Sequence, residues 1–323
     1  MTDTKQRKED QLPGVTRTGR VSRFFYRASR QKQLLAIGLG FLAYLIIFKY
    51  IPIWGWIMAF QDYKPYDGVF GSEWVGLKYF KELFNFPQFY RVIRNTLAMS
   101  ILNQLTGTFM AIVFALLLNE ARGKTFKRTV QTVSYLPHFV SWVVAANIVL
   151  NVLSINDGIV NRILLDLNII DRPVMWIGKP EWFWVIIAGS NVWKNMGWNA
   201  ILYLAAMTAI DPSLYEAAAM EGAGRIKRMW YVTIPGILPT IVVLFIINLG
   251  YIMNAGFEQQ LLLGNPLVIK VSEVLDIFVI KYGISLGRYS FATAAGIFKS
   301  VVSVIMILSA NWVAGKSKME RLF

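Results

Sequence analysis

The 323 residues are 55% hydrophobic and 16% charged, with a positive mean hydropathy, more apolar surface than one water-soluble core of this length can bury. Net charge is +14, which in a soluble chain would point to nucleic acid but in a membrane chain records which side of the bilayer each loop occupies. With no cysteine and one histidine, disulfides, thiolate metal sites and a zinc cluster are excluded.

In chain order, the first element is a basic tail over residues 1–33, which holds nine Lys and Arg. Arg20, Arg23, Arg27 and Arg30 share one helical face, and Val21, Phe24, Phe25 and Ala28 lie on the other. An interfacial helix on the inner membrane surface and a solvated tail that only sets topology both fit this pattern. Six apolar windows follow, near 34–60, 93–118, 130–153, 182–209, 236–257 and 291–314, each long enough to cross about 30 Å of hydrocarbon. The first is expected to be retained rather than cleaved as a signal peptide, because no small-residue cleavage site follows it. Their apolar runs are nearly continuous, which predicts helices rather than alternating barrel strands, and hence an all-α integral membrane protein with six transmembrane helices over 34–323. Nineteen Lys and Arg fall on the side shared by both termini and eleven on the other, so both termini are expected in the cytoplasm.

The fourth window carries "NVWKNMGWN", which puts Asn191, Trp193, Lys194, Asn195, Trp198 and Asn199 near mid-span. Amides and aromatic faces suit sugar hydroxyls and rings. A charge at that depth costs about 2.5–3.5 kcal/mol, so Lys194 must either face a wet cavity, where it would draw uronate carboxylates, or bind backbone carbonyls where helices bend. Asn248 and Asn254 in the fifth window are weaker candidates, since amides also join membrane helices, and Lys299 in the sixth is expected to snorkel. Between the fifth and sixth windows, Ser272 is expected to cap a short helix with Val274, Leu275, Phe278 and Val279 toward the membrane or bundle and its charges outward.

No window has an internal Asp or Glu, which weighs against an ion-coupled secondary transporter. Neither paired carboxylates nor an HExxH motif supports a membrane-embedded polysaccharide enzyme, and the isolated His138 reads as structural. Gly315, Lys316 and Ser317 mimic the end of a phosphate loop, but Ala310 stands where its first glycine belongs, so no nucleotide or other cofactor is expected on this chain.

The polar stretch "IDPSLYEAAAMEGAGRIKRMWYVTIPGILP" separates the fourth and fifth windows. Asp211 with Pro212 starts a helix as N-cap and first residue, and Gly222 and Gly224 end it. Small side chains at 217–219 would let its backbone approach another protein closely. Glu216, Ala217, Ala218, then Gly222 and a final Pro235 resemble the EAA loop of permease subunits in binding-protein-dependent ABC importers. The family pattern ends Ile-x-Leu-Pro, where this chain has Val232, Thr233, Ile234 and Pro235. "IIFKYIPIWGWIMAFQDYKP", "FKRTVQTVSYLPHFVSWVV", "GFEQ", "NPLV" and "YSFATAAGIFKSVVS" extend the resemblance from about residue 40 to the end, toward the polysaccharide-type branch and its alginate-importing members.

That resemblance implies a type I ABC importer permease fold in the bacterial cytoplasmic (inner) membrane, with a cytoplasmic coupling helix in the loop 211–235. It further implies a second paralogous permease, two ATPase subunits that hold the ATP and Mg, an extracytoplasmic solute-binding protein, a sugar cargo such as alginate, and contact with membrane lipid but not nucleic acid. Glu216, Ala217, Ala218, Gly222 and Pro235 would couple to the ATPase, and the 258–290 segment would either touch the binding protein or act as an interfacial brace.

Overall fold

A computed structural model describes residues 32–316, so the arginine face of the tail and the end of the "GKS" match lie outside the described residues. The described chain is helical apart from one two-stranded ribbon, and it divides into two compact units, one up to Ile57 and one from Met58 onward.

Helix α1 runs Lys32–Phe60 and is long and apolar enough to cross a membrane. Its ladder widens to a π-turn over Ile46–Tyr50, where the Ile51 N–H bonds Ile46 O, and then tightens over Ile51–Phe60. Pro52 explains the change, since it lacks an N–H and crowds the preceding turn.

In the second unit, β1 (Gln61–Asp62) pairs antiparallel with β2 (Glu73–Trp74), Gln61 opposite Trp74. Helix α2 (Lys78–Phe84) is tied to the ribbon by the Tyr79 hydroxyl, which donates to Asp62. Burial first, and that hydrogen bond second, push the phenol up to about 12. Helix α3 (Pro87–Glu120) begins with Pro at its first position, where a missing N–H costs nothing.

The window expected as one span over 130–153 is instead two helices, α4 (Lys124–Phe139) and α5 (Trp142–Val152), bent by 105°. Pro137 breaks the ladder of α4, Val140 is extended, and the Ser141 hydroxyl caps the new helix by accepting from the Val144 N–H at 3.4 Å. After α6 (Ile159–Asp166) comes α7 (Pro180–Thr208), as long as the fourth window but with a polar middle. Helix α8 (Pro212–Met220) precedes α9 (Arg225–Leu249), whose π-turn at Met229–Thr233 again stands just before a proline, Pro235. The fifth window was expected to run to 257, but the helix stops at Leu249 and the chain turns, with the Asn254 N–H on Tyr251 O at 2.8 Å. Helices α10 (Phe257–Leu263), α11 (Leu275–Ile280) and α12 (Tyr289–Lys316) complete the described chain. Among the described residues four helices, α1, α3, α9 and α12, meet the length and apolarity of a span, and α4 with α5 would make a fifth.

Three buried clusters hold the second unit together. One is aromatic and joins Phe89 of α3 to Phe278 of α11 and Phe291 of α12. Another joins Met99, Phe183, Ile187 and Leu263 across α3, α7 and α10. The third sets Ala111 and Ala115 of α3 against Ala200 and Tyr203 of α7, with Ile237 of α9 behind. Small residues let the α3 and α7 backbones approach, which is how helices pack when no water drives them together.

The segment before α11 departs from expectation. Ser272 does not cap it: Ser272 closes the preceding turn, Ile269–Ser272, and Val274 holds the cap position with no side-chain bond. Thr96 supplies the missing acceptor, its Oγ1 taking the Leu275 N–H at 2.8 Å from across the unit. Nor does every charge point outward. The Glu273 carboxylate is fully covered and held by Gln88 at 2.6 Å, Lys281 at 3.0 Å and Arg91 at 3.4 Å. An unpaired buried carboxylate would cost several kcal/mol, so these partners are what allow it there. Lys299, expected to snorkel, pairs with Asp276 of α11.

Candidate functional site

Between α3, α7 and the end of α9 lies a cavity of about 290 Å³. Helix α3 contributes Ser100, Asn103, Gln104, Gly107 and Thr108, whose spacing of three and four puts them on one face. The facing wall on α7 is Asn191, Asn195, Asn199 and Tyr203, and Asn248, Tyr251 and Asn254 close the third side. Every polar group in this lining is an amide or a hydroxyl, and no Asp, Glu, Lys or Arg side chain takes part. Ser100 Oγ and Asn103 Oδ1 are buried and bond no other described residue, while Gln104 Nε2 donates to Thr108 Oγ1 at 3.3 Å. Such a wall can exchange hydrogen bonds with the water or hydroxyls of a polar solute without charging it. Among the described residues, no three His, Asp or Glu side chains converge as a metal site would require.

Of the residues singled out from sequence, Asn191, Asn195, Asn199, Asn248 and Asn254 meet at this cavity. Trp193 and Lys194 are not in its lining. Lys194 is only 5% exposed, and its Nζ donates to His138 O at 2.7 Å and Pro137 O at 3.3 Å, 5.5 Å from the centre of the Trp142 ring. Of its two possible roles it takes the second, closing the carbonyl end of α4 where α4 gives way to α5. The cation sits at a helix C-terminus, where dipole and unpaired carbonyls both favour positive charge. His138, isolated in sequence, adjoins the cavity wall: its Nδ1 lies 3.0 Å from Asn195 Oδ1 and its ring stacks on Trp198 at 4.5 Å. The α3 wall was missed from sequence, although the polar stripe in "SILNQLTGTF" at helical spacing inside an apolar window was a usable signal.

The polar stretch forms its expected local structure. Asp211 caps α8 by accepting from the Ser213 N–H at 2.9 Å, and that backbone bond holds the carboxyl below its usual range. Glu216 and Ala217 are exposed, and Ala218 is half-buried. Gly222 turns the chain at φ +79°, a conformation that favours glycine. Tyr215 ties α8 back to α9 by a 3.0 Å bond between its hydroxyl and Thr233 Oγ1. Around this element Leu214, Met220, Ile226, Trp230 and Tyr231 are exposed, and so is Pro235.

A family model described as "Binding-protein-dependent transport system inner membrane component" matches residues 105–318. Protein LplB of Bacillus subtilis (strain 168) is 43% identical over 294 residues, 91% of this chain and 92% of that protein. The polygalacturonan/rhamnogalacturonan transport system permease protein YteP of the same organism is 40% identical over 301 residues, 93% of each chain. Among solved structures, a chain of a bacterial ABC transporter involved in the import of the acidic polysaccharide alginate superposes with a TM-score of 0.83 at 39% identity, covering 91% of this chain and 99% of that one. A second, from the bacterial alginate ABC transporter in complex with alginate pentasaccharide-bound periplasmic protein, gives 0.82 at 39% identity over 90% of this chain and 97% of that one.

Proposed function

The chain belongs to the family of inner membrane components of binding-protein-dependent transport systems, with the type I ABC permease fold, and on that footing we propose that it forms half of the membrane path of an ATP-driven importer for an acidic oligosaccharide or polysaccharide, alginate or a related glycan. The observation that carries the cargo reading is the cavity between α3, α7 and α9, whose amides, hydroxyls and tyrosines suit the hydroxyls and rings of a sugar. Relatives named for polygalacturonan and for alginate support an acidic cargo.

In this reading α7 is the sixth span. Its shortfall in apolarity comes from Asn191, Asn195 and Asn199, which line the cavity, and from Lys194, which is held on the carbonyls of α4. The excess of basic residues on their side supports a cytoplasmic position for both termini, and with them for α8. Helix α8 is then the coupling helix: Glu216, Ala217 and Ala218 meet a partner ATPase, which holds ATP and Mg, while Gly222 sets its angle to α9 and Pro235, inside α9, follows the π-turn that begins the apolar part of that helix. A second permease completes the path, and an extracytoplasmic binding protein delivers the sugar. Closure of the ATPases favours one arrangement of the bundle through this contact, and hydrolysis releases it to the other.

The test is reconstitution of the chain with its co-encoded permease, ATPase and binding protein in liposomes. The expected result is ATP-dependent accumulation of an oligouronate. ATP hydrolysis by the chain alone, or uptake driven by an ion gradient without ATP, would overturn the proposal.

A further inference from the structure

The seam between α4 and α7 is unusually close. A Cβ added at Gly197 would stand 2.2 Å from Ser134 O, so only glycine lets the two backbones meet there. Just beyond, His138 is held in three ways: Lys194 binds its carbonyl, Trp198 stacks on its ring with planes 2° apart, and Nδ1 reaches Asn195 Oδ1. A carbonyl oxygen only accepts, so the proton of this bond lies on His138 Nδ1. Asn195 then spends its Nδ2 on Asn191 Oδ1 at 2.8 Å. Both asparagines line the cavity, and this relay consumes the oxygen of Asn191 while leaving its Nδ2 free to donate. Across the cavity Gly107 faces that nitrogen: a Cβ there would lie 3.7 Å from it, in ordinary contact.

We propose that His138 is a positioning residue for the cargo path, which through Asn195 orients Asn191 so that the α7 wall offers N–H donors to the oxygens of the solute. This inference rests on the importer reading. A carboxylate can only accept, so a donor wall suits a uronate-bearing sugar, whereas the reversed orientation would set the Asn191 carbonyl against it. Selection of an acidic sugar then needs no cation in the cavity, consistent with a lining free of Lys and Arg and with Lys194 committed to carbonyls.

The experiment measures oligouronate moved per ATP hydrolysed by the reconstituted full complex. His138→Phe keeps the stack on Trp198 but loses the N–H; His138→Asn keeps a donor near the Nδ1 position but loses the stack. The expected outcome is a drop of about fivefold for H138F, the size of one neutral hydrogen bond, with H138N close to the unsubstituted complex. Asn191→Asp still accepts from Asn195 but replaces the cavity donor with a carboxylate oxygen, and a drop of more than about tenfold is expected from like-charge repulsion. If H138F and H138N behave alike, or only H138N loses coupling, the relay is wrong. Should H138F fail to assemble, N191D decides, and unchanged transport by N191D overturns the inference. Failure of the unsubstituted complex to move any oligosaccharide would reject the importer reading itself.

Discussion

Gly197→Ala tests the contact on which the α4–α7 seam depends. The new methyl would lie 2.2 Å from Ser134 O, 2.6 Å from its carbonyl carbon and 2.9 Å from its Cβ, and two of these atoms are backbone that cannot swing aside. Restoring ordinary contact at 3.4 Å from the present 2.2 Å requires the helices to part by just over 1 Å. The bonds of Lys194 to His138 O at 2.7 Å and of His138 to Asn195 at 3.0 Å would then stretch toward or past hydrogen-bonding range. Overpacking of this kind costs about 1–3 kcal/mol, and weakening a charge-assisted bond adds about 1.5 kcal/mol. Against this stands a helix-propensity gain of up to about 1 kcal/mol for replacing glycine. Gly189→Ala isolates that gain, because it lies on the same helix with nothing within 4 Å. Thermal unfolding of the purified chain in detergent, followed by tryptophan fluorescence, should place G197A below the unsubstituted protein by roughly 6 °C for a net loss of about 3 kcal/mol, with G189A at or above it. A Tm for G197A equal to that of G189A would refute the close approach of the two helices.

Thr96→Val removes the acceptor for the buried Leu275 N–H and should cost about 1–3 kcal/mol, read as lost exchange protection at Leu275, while Thr96→Ser should retain it. For Asp211 the folded pKa lies below the unfolded value, so its contribution to α8 is present above the usual carboxylate pKa and is lost as pH falls through the lowered value. Amide exchange at Ser213–Tyr215 should therefore rise relative to Asp211→Asn only below about pH 4, and a constant ratio down to pH 2 would contradict the cap. Gly222→Pro forces φ near −65° where the chain needs +79°, and it should leave membrane insertion intact but abolish cargo-stimulated ATP hydrolysis by the complex; normal stimulation would reject the coupling role.

Features legible in the sequence were those set by neighbours along the chain. Asp211 and Pro212 cap α8 as a dipeptide in any context, and Gly222 ends it for the same local reason. Helix character also followed from local apolar runs, although Pro137, visible in the sequence, should have divided the 130–153 window. Harder cases had two acceptable local solutions. Lys194 could face water or carbonyls, and only the arrival of Pro137 and His138 from fifty-six and more residues away decided it. Ser272 had cap chemistry at a plausible position, but Thr96 of α3 already supplied the acceptor and Ser272 was drawn into the core.

Composition, periodicity and the spacing of the polar stretch thus determined on their own a helical membrane chain carrying an exposed, glycine-ended helix, because burial pattern and caps are properties of consecutive residues. Tertiary structure alone decided that six asparagines from α3, α7, α9 and the turn after it would share a cavity, that Glu273 would be buried among its partners, and that His138 would stand behind the cavity wall. Each of those outcomes depends on which helix faces meet, and that is set by how closely Gly197 and the alanines of α3 and α7 let the backbones pack.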